Sequence, residues 1–271
     1  MNGKELVEAL RAGQRIYGTL IVSPSPHWIK ELQGIDLDCV FIDTEHIPLG
    51  THDLAWMCRA YGAIGFAPIV RITSPDPFQA SKALDAGAVG IIAPYIETVA
   101  QVQALRGAVK LRPLKGRKLQ EILSGQNQPE AELTNYLKQY NANNALIVNI
   151  ESVPAVEALD DILKVPGLDA VLIGPHDLTC SLGIPEQYDH PDFDKVVRGI
   201  IKKARAANVG VGMHNCPSVD QEIEWMKAGL NLILRLSDIV FFKKGLIKDL
   251  NALRQGIGDA ASSEKLKHNP I

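Results

Sequence analysis

Eight short apolar runs recur along the chain, and an amphipathic or polar stretch separates each from the next. They are RIYGTLIV, DCVFIDTE, APIVRI, VGIIAPYI, ALIVNIE, DAVLIGP, VGVGMH and LNLILRLS. Each is short and largely apolar, so each reads as a strand. Between them lie segments with apolar residues at i, i+3 and i+4: THDLAWMCRAYGA, PFQASKALDAG, SVPAVEALDDILKV, PDFDKVVRGIIKKARAAN and SVDQEIEWMKAG. Continuous apolar strands alternating with amphipathic helices describe parallel strands covered on both sides. Gly87, Gly167, Asn208 and Gly229 stand just before a strand, where a helix C-terminus favours a residue tolerant of positive φ. Eight such units in 271 residues fit one α/β fold, the (β/α)8 TIM barrel, which typically takes about 250. A doubly wound open sheet is the rival. It usually has fewer strands, and no GxGxxG opens the first helix.

No Pro/Gly/Ser-rich linker divides the chain, so a single catalytic barrel is expected over residues 1–258, followed by a polar tail over 259–271. Residues 111–144 interrupt the pattern with RPLKGRKLQ and SGQNQPEAE, and read as a long active-site loop with an embedded helix. The net charge of −3 offers no basic excess to hold a phosphate backbone, so nucleic acid is not an expected partner. No run reaches the roughly 18 apolar residues of a membrane span, and the N-terminal stretch lacks the apolar core of a signal peptide. Cys39, Cys58, Cys180 and Cys216 stand far apart with no CxxC. Reduced thiols and a cytoplasmic protein are the plain expectation.

In a barrel of this kind chemistry gathers where strands end. Glu151 and Asp177 follow the fifth and sixth runs. Neighbouring strands lie about 4.8 Å apart, so two carboxylates there can reach one ion. Two acids completed by water suit a hard octahedral cation, Mg²⁺ or Mn²⁺. The alternative is that both are solvated loop acids or helix N-caps. Asp43 and His46 share one loop, as an acid–base pair needs, or form an ordinary surface turn. Arg71 ends the third run, placed either to bind a carboxylate and steady an enolate or to pair with Glu45 or Glu97. No strand ends on Lys, which disfavours Schiff-base chemistry. No GxSxG or P-loop is present, and no Gly-rich loop points to a phosphate or to an organic cofactor.

The segments FIDTEH, PIVRI, KALDAGAVGIIAPYIET, NIESVPAVEALDDILKVPGLDAVLIGPHDL and SLG resemble the HpcH/HpaI aldolases, in order, from about Gly18 to Asp238. The resemblance implies a barrel of the phosphoenolpyruvate/pyruvate type and a class II, divalent-metal-dependent carbon–carbon lyase. Its reaction would be reversible retro-aldol cleavage of a 4-hydroxy-2-oxo acid to pyruvate and an aldehyde, through a metal-stabilised enolate. Glu151 and Asp177 then match the metal ligands, for Mg²⁺ or Mn²⁺ with Co²⁺ as a further candidate. His46 matches the catalytic base with Asp43 orienting it, and Arg71 the residue that contacts the keto acid and the enolate. Gly174, Pro175, His176 and Asp177 match the turn that receives the pyruvate carboxylate, with Asn149 beside the keto acid. The partners implied are a small keto acid and an aldehyde lying toward the long loop, in a homo-oligomer, hexameric or dimer-based.

The chain departs from the family at Asn149, where Gln is common, at His176, and at Arg235 within the last run. His176 and Arg235 would add positive charge suited to an acidic substrate. An oxaloacetate-type decarboxylase or a CoA-ester lyase on the same site, and a non-catalytic keto-acid-binding barrel, are the alternative readings.

Overall fold

The strands close because each buries both of its faces, one against the barrel interior and one against helices. A computed structural model describes residues 1–216 and 218–259. Helix α1 (Gly3–Ala12) precedes β1 (Ile16–Leu20), α2 (His27–Leu32), β2 (Cys39–Asp43), α3 (Thr51–Ala63), β3 (Ala67–Arg71), α4 (Pro77–Ala86), β4 (Gly90–Ala93) and α5 (Val99–Lys110). Two further helices, α6 (Gly116–Leu123) and α7 (Ala131–Tyr140), lead to β5 (Ala145–Ile150). There follow α8 (Val153–Glu157), α9 (Leu159–Ile162), β6 (Ala170–Ile173), α10 (Pro175–Ser181), α11 (Pro191–Ala206) and β7 (Gly210–His214). Then come α12 (Val219–Ala228), β8 (Leu232–Ser237) and α13 (Asp238–Ile257). All eight apolar runs form strands, and they pair in parallel, in chain order, around a closed barrel.

Side chains alternate across a strand, so every second residue faces the barrel interior. Cys39 and Phe41 on β2, Ala67 and Ile69 on β3, Ala145 and Ile147 on β5, and Leu232 and Leu234 on β8 pack together there. Leu6 and Leu10 of α1 join the same cluster, so α1 caps the N-terminal end of the barrel. The outward residues, such as Val40, Val70, Val148 and Val211, pack against the surrounding helices. Gly87 and Gly229 end α4 and α12 with φ of 114° and 120°, as the sequence suggested. The segment read as one helix over 152–165 divides at Ala158 into α8 and α9, and Ala155, Leu159 and Ile162 still share one buried face.

The segment 111–144 differs from the expectation. It begins after α5, not after β4, and therefore leaves the barrel at the N-terminal end. It carries two helices, which build their own small core from Leu111, Ile122 and Leu137. Helix α6 lies along α5 closely enough that a Cβ on Gly107 would sit 3.0 Å from Leu123. Within this chain the segment is an outer brace and not an active-site loop. Of the expected tail 259–271, only Asp259 is among the described residues.

Helix α13 follows β8 but lies poorly covered. Ile239, Phe242, Leu246, Leu250, Leu253 and Ile257 repeat at helical spacing and are 40, 65, 47, 39, 67 and 77% exposed. On the outer wall of β1, where the eighth helix of a closed ring would lie, Tyr17 is 42% exposed. No helix among the described residues is long and apolar enough to cross a membrane.

Candidate active site

The uppermost inward position of several strands is polar, and these residues meet at the open C-terminal end. They are Asp43 on β2, Arg71 on β3, Asn149 on β5 and His214 on β7, all buried. A cavity of about 420 Å³ opens above them, lined by Arg71, Asn149, His214, His46 and the turn Gly174–Asp177. A polar layer on an apolar interior is costly unless each group is paired.

Asp43 and Arg71 are register partners on adjacent strands. Arg71 Nε donates to Asp43 Oδ1 at 2.8 Å and Nη2 to Oδ2 at 2.5 Å, a bidentate pair. Burial alone would raise the Asp43 carboxyl. The bonds and charge of Arg71, with the Glu45 N–H, outweigh burial and hold it below the usual range. Arg71 Nε also lies 3.1 Å from Glu45 Oε2, and the guanidinium sits 5.5 Å from the Phe41 ring centroid. The expected Asp43–His46 pair is therefore revised. Both Asp43 oxygens are directed at Arg71, while His46 stands on the rim with Nε2 3.7 Å from Glu45 Oε2. The reason is register: Asp43 ends β2 pointing inward, and His46 lies three residues beyond it.

Glu151 is 8% exposed and held at both oxygens. Oε1 accepts from Tyr95 N and Oε2 from Asn149 Nδ2, each at 2.7 Å. Burial raises its carboxyl; these two bonds oppose the rise, and the charges of Asp177 and Glu45 add to it. Gly174 is required beside it, because a Cβ there would lie 2.8 Å from Glu151 Oε2. Asp177 is exposed toward the cavity, in the first turn of α10. Neither acid is a helix N-cap, since Ser152 and Gly174 hold those positions.

Acids held together against mutual repulsion make a fitting seat for a divalent cation, and each Glu151 oxygen keeps a lone pair beyond its N–H bond. Among the described residues no group of three or more His, Cys, Asp or Glu gathers as a metal cage. The fitting set is Glu151 and Asp177 with water, and Tyr95 N–H and Asn149 orient the first of them.

Tyr95 was not singled out by spacing. Its φ is 56°, an uncommon conformation for a bulky residue. That turn aims its N–H at Glu151, while its hydroxyl bonds Glu45 and is pushed up to about 12 by that bond and by burial. Tyr188 is a second such residue, with its hydroxyl 3.5 Å from His176 Nδ1 on the cavity wall. Arg235 does not reach the cavity. It points out of β8, where Nη1 donates to the Cys216 carbonyl at 2.6 Å and to Glu222 Oε2 at 3.0 Å. The added positive charge expected from Arg235 is thus absent from the site. Asp238 binds the backbone N–H groups of Val22 and Ser23, and closes the β8–β1 seam.

The sequence profile of the HpcH/HpaI aldolase/citrate lyase family matches residues 17–230. The chain belongs to this family. A 2-keto-3-deoxy-L-rhamnonate aldolase of Salmonella gallinarum is 30% identical over 205 residues, 76% of either chain. A crystal structure of an HpcH/HpaI aldolase/citrate lyase family protein from Burkholderia cenocepacia superimposes with TM-score 0.79 at 26% identity, covering 93% of this chain and 99% of that one. The citrate synthase SbnG gives TM-score 0.79 at 28% identity, covering 94% and 99%. Family membership makes the cavity at the C-terminal face the place to look for lyase chemistry.

Proposed function

We propose that this family member is a divalent-metal-dependent aldolase that cleaves a 4-hydroxy-2-oxo acid reversibly to pyruvate and an aldehyde. The observation that carries the reading is Glu151, a buried carboxylate kept beside Asp177 and Glu45 at a cost to the free protein. A bound Mg²⁺ or Mn²⁺ would supply Lewis acidity toward the 2-oxo acid. The chain's own residues do the rest. Arg71, locked by Asp43, presents a guanidinium that shares negative charge developing on the substrate's oxygen. Gly174 leaves room for the Glu151 carboxylate, and the turn Gly174–Asp177 faces the cavity for a carboxylate group of the substrate. His46, at the rim, moves the proton of the 4-hydroxyl, with Glu45 as its neighbouring acid. The four unpaired cysteines support a reducing compartment.

The test is deuterium exchange into the pyruvate methyl group in D₂O, followed by NMR. Exchange is expected with Mg²⁺ or Mn²⁺ and none with EDTA. Absence of exchange with every divalent ion would overturn the enolate reading.

The same proposal includes assembly with further copies of this chain. Each apolar side chain on the α13 stripe gains about 1.5–3 kcal/mol when buried, and the uncovered wall at Tyr17 offers a matching seat on a second copy. Sedimentation of the wild type at micromolar concentration is expected to show an oligomer. A Phe242→Lys, Leu246→Lys variant is expected to sediment as a smaller species with the barrel still folded. A monomeric wild type would overturn this part.

A further inference from the structure

The cavity contains two buried polar atoms that the chain leaves unpaired. Asn149 Oδ1 and His214 Nε2 have no hydrogen-bond partner among the described residues. Both residues line the cavity above the barrel interior. An unsatisfied buried polar atom costs about 1–3 kcal/mol, so a site that keeps two has a use for them.

What each atom can do is set by the other end of its side chain. Asn149 Nδ2 donates to Glu151 Oε2 at 2.7 Å, and a carboxylate only accepts. The unpaired Asn149 atom is therefore the amide oxygen, an acceptor. His214 is 9% exposed and packs edge-on against Phe41, with ring centroids 4.9 Å apart. Beside it, β8 is irregular: its register with β1 shifts between Gly18 and Leu20, and Leu236 has φ of 44°. The Leu236 backbone there bonds the His214 ring. That bond favours the protonated ring, so its partner is the Leu236 carbonyl; with Nε2 unpaired, the donor is Nδ1, which carries the proton. Burial and the charge of Arg71 keep the ring neutral, with its pKa lowered to about 4. Nε2 is then a bare acceptor as well.

Two acceptors require a ligand group that donates. A second carboxylate would bring lone pairs against lone pairs, and Arg235, which would have received one, points out of the barrel. We propose that His214 is a substrate-contacting residue whose Nε2 accepts a hydrogen bond from a hydroxyl on the aldehyde-derived fragment, so that the enzyme selects a hydroxylated fragment over its deoxy analogue. This rests on the aldolase reading above. Asn149 Oδ1 supplies a second acceptor in the same cavity, and water can fill both positions in the free protein.

The experiment compares addition of pyruvate to glycolaldehyde and to acetaldehyde, which differ by one hydroxyl, in wild type, His214→Phe and His214→Gln. The phenyl ring preserves the contact with Phe41, and the Gln restores an acceptor. The ratio of the two kcat/KM values is the readout, since it cancels any general damage. The His214→Phe ratio is expected to fall about 10- to 100-fold through glycolaldehyde alone, with acetaldehyde held within about threefold. His214→Gln is expected to regain part of it. An unchanged ratio in His214→Phe would overturn the proposal. Deuterium exchange into pyruvate needs no aldehyde and certifies each variant's folded site. Should the wild type itself neither exchange nor add aldehydes, the aldolase reading fails separately. Calorimetric binding of 4,5-dihydroxy- and 4-hydroxy-2-oxopentanoate then decides. A preference for the dihydroxy acid that His214→Phe abolishes supports the contact, and equal affinities overturn it.

Discussion

Arg71→Met is expected to cost both stability and activity, the first by the larger margin. Asp43 is fully buried, and its two oxygens are met by Arg71 together with the Glu45 N–H. Removing the guanidinium leaves a buried carboxylate without a counter-charge, which costs about 3–5 kcal/mol. In a chain of this size each kcal/mol lowers Tm by about 2–4 °C, so calorimetry resolves the effect easily. Adding Asp43→Asn removes the stranded charge, and the double variant is expected to recover a good part of the lost stability. It is not expected to recover pyruvate exchange, because the guanidinium proposed to share the substrate's negative charge is still missing. Loss of one such donor typically costs about 10²–10³ in rate. A single variant as stable as wild type would show that the Asp43–Arg71 pair does not hold the site together. A double variant with restored exchange would remove Arg71 from the chemistry.

Glu151→Gln is expected to act in the opposite direction on stability. The Glu151 carboxyl is raised above its ordinary value of 4.5, first by burial and then by Asp177 and Glu45. Its folded pKa therefore exceeds its unfolded pKa. The associated stability is fully present below the unfolded value and is lost as pH rises through the folded one. At neutral pH the metal-free protein carries that penalty, and the neutral amide removes it. The Gln oxygen can still accept from Tyr95 N, and Asn149 can turn its unpaired Oδ1 toward the new NH₂. With EDTA present, the variant is expected to melt above wild type near pH 7, and the difference is expected to shrink toward pH 4.5 and below. Metal affinity is expected to fall by at least about a hundredfold, and pyruvate exchange with it. This is the stability–activity opposition expected of a site residue. A variant that melts lower at neutral pH and keeps metal-dependent exchange would make Glu151 a structural residue.

The two substitutions separate what was legible in the chain from what was not. Asp43, Arg71, Glu151 and Asp177 could be picked out because each closes an apolar run, and runs that end on charge are visible without a fold. Their partners could not. Asp43 and His46 are three residues apart, a spacing that suggests a pair, yet Asp43 meets Arg71 across a parallel ladder 28 residues away. Nothing local records that register. Arg235 misled for a related reason: its place in the last run is plain, but which face of β8 it occupies depends on the closed barrel and on the irregularity beside Leu236. His214 closes the run VGVGMH, but the signal that marks it is an atom without a partner. Such an atom exists only once every neighbour is in place.

The sequence by itself determined the barrel, its order of strands and helices, and the end at which polar side chains collect. Those properties rest on periodicities of two and 3.6 residues and on glycine at turns, all of which act over a few bonds. Tertiary structure decided which acid holds Arg71, that residues 111–144 brace α5 away from the cavity, and that Arg235 faces outward. It also left the apolar stripe of α13 uncovered. These depend on which strands become neighbours and on what remains unpaired after packing, and such long-range outcomes have no counterpart in any short stretch of the chain.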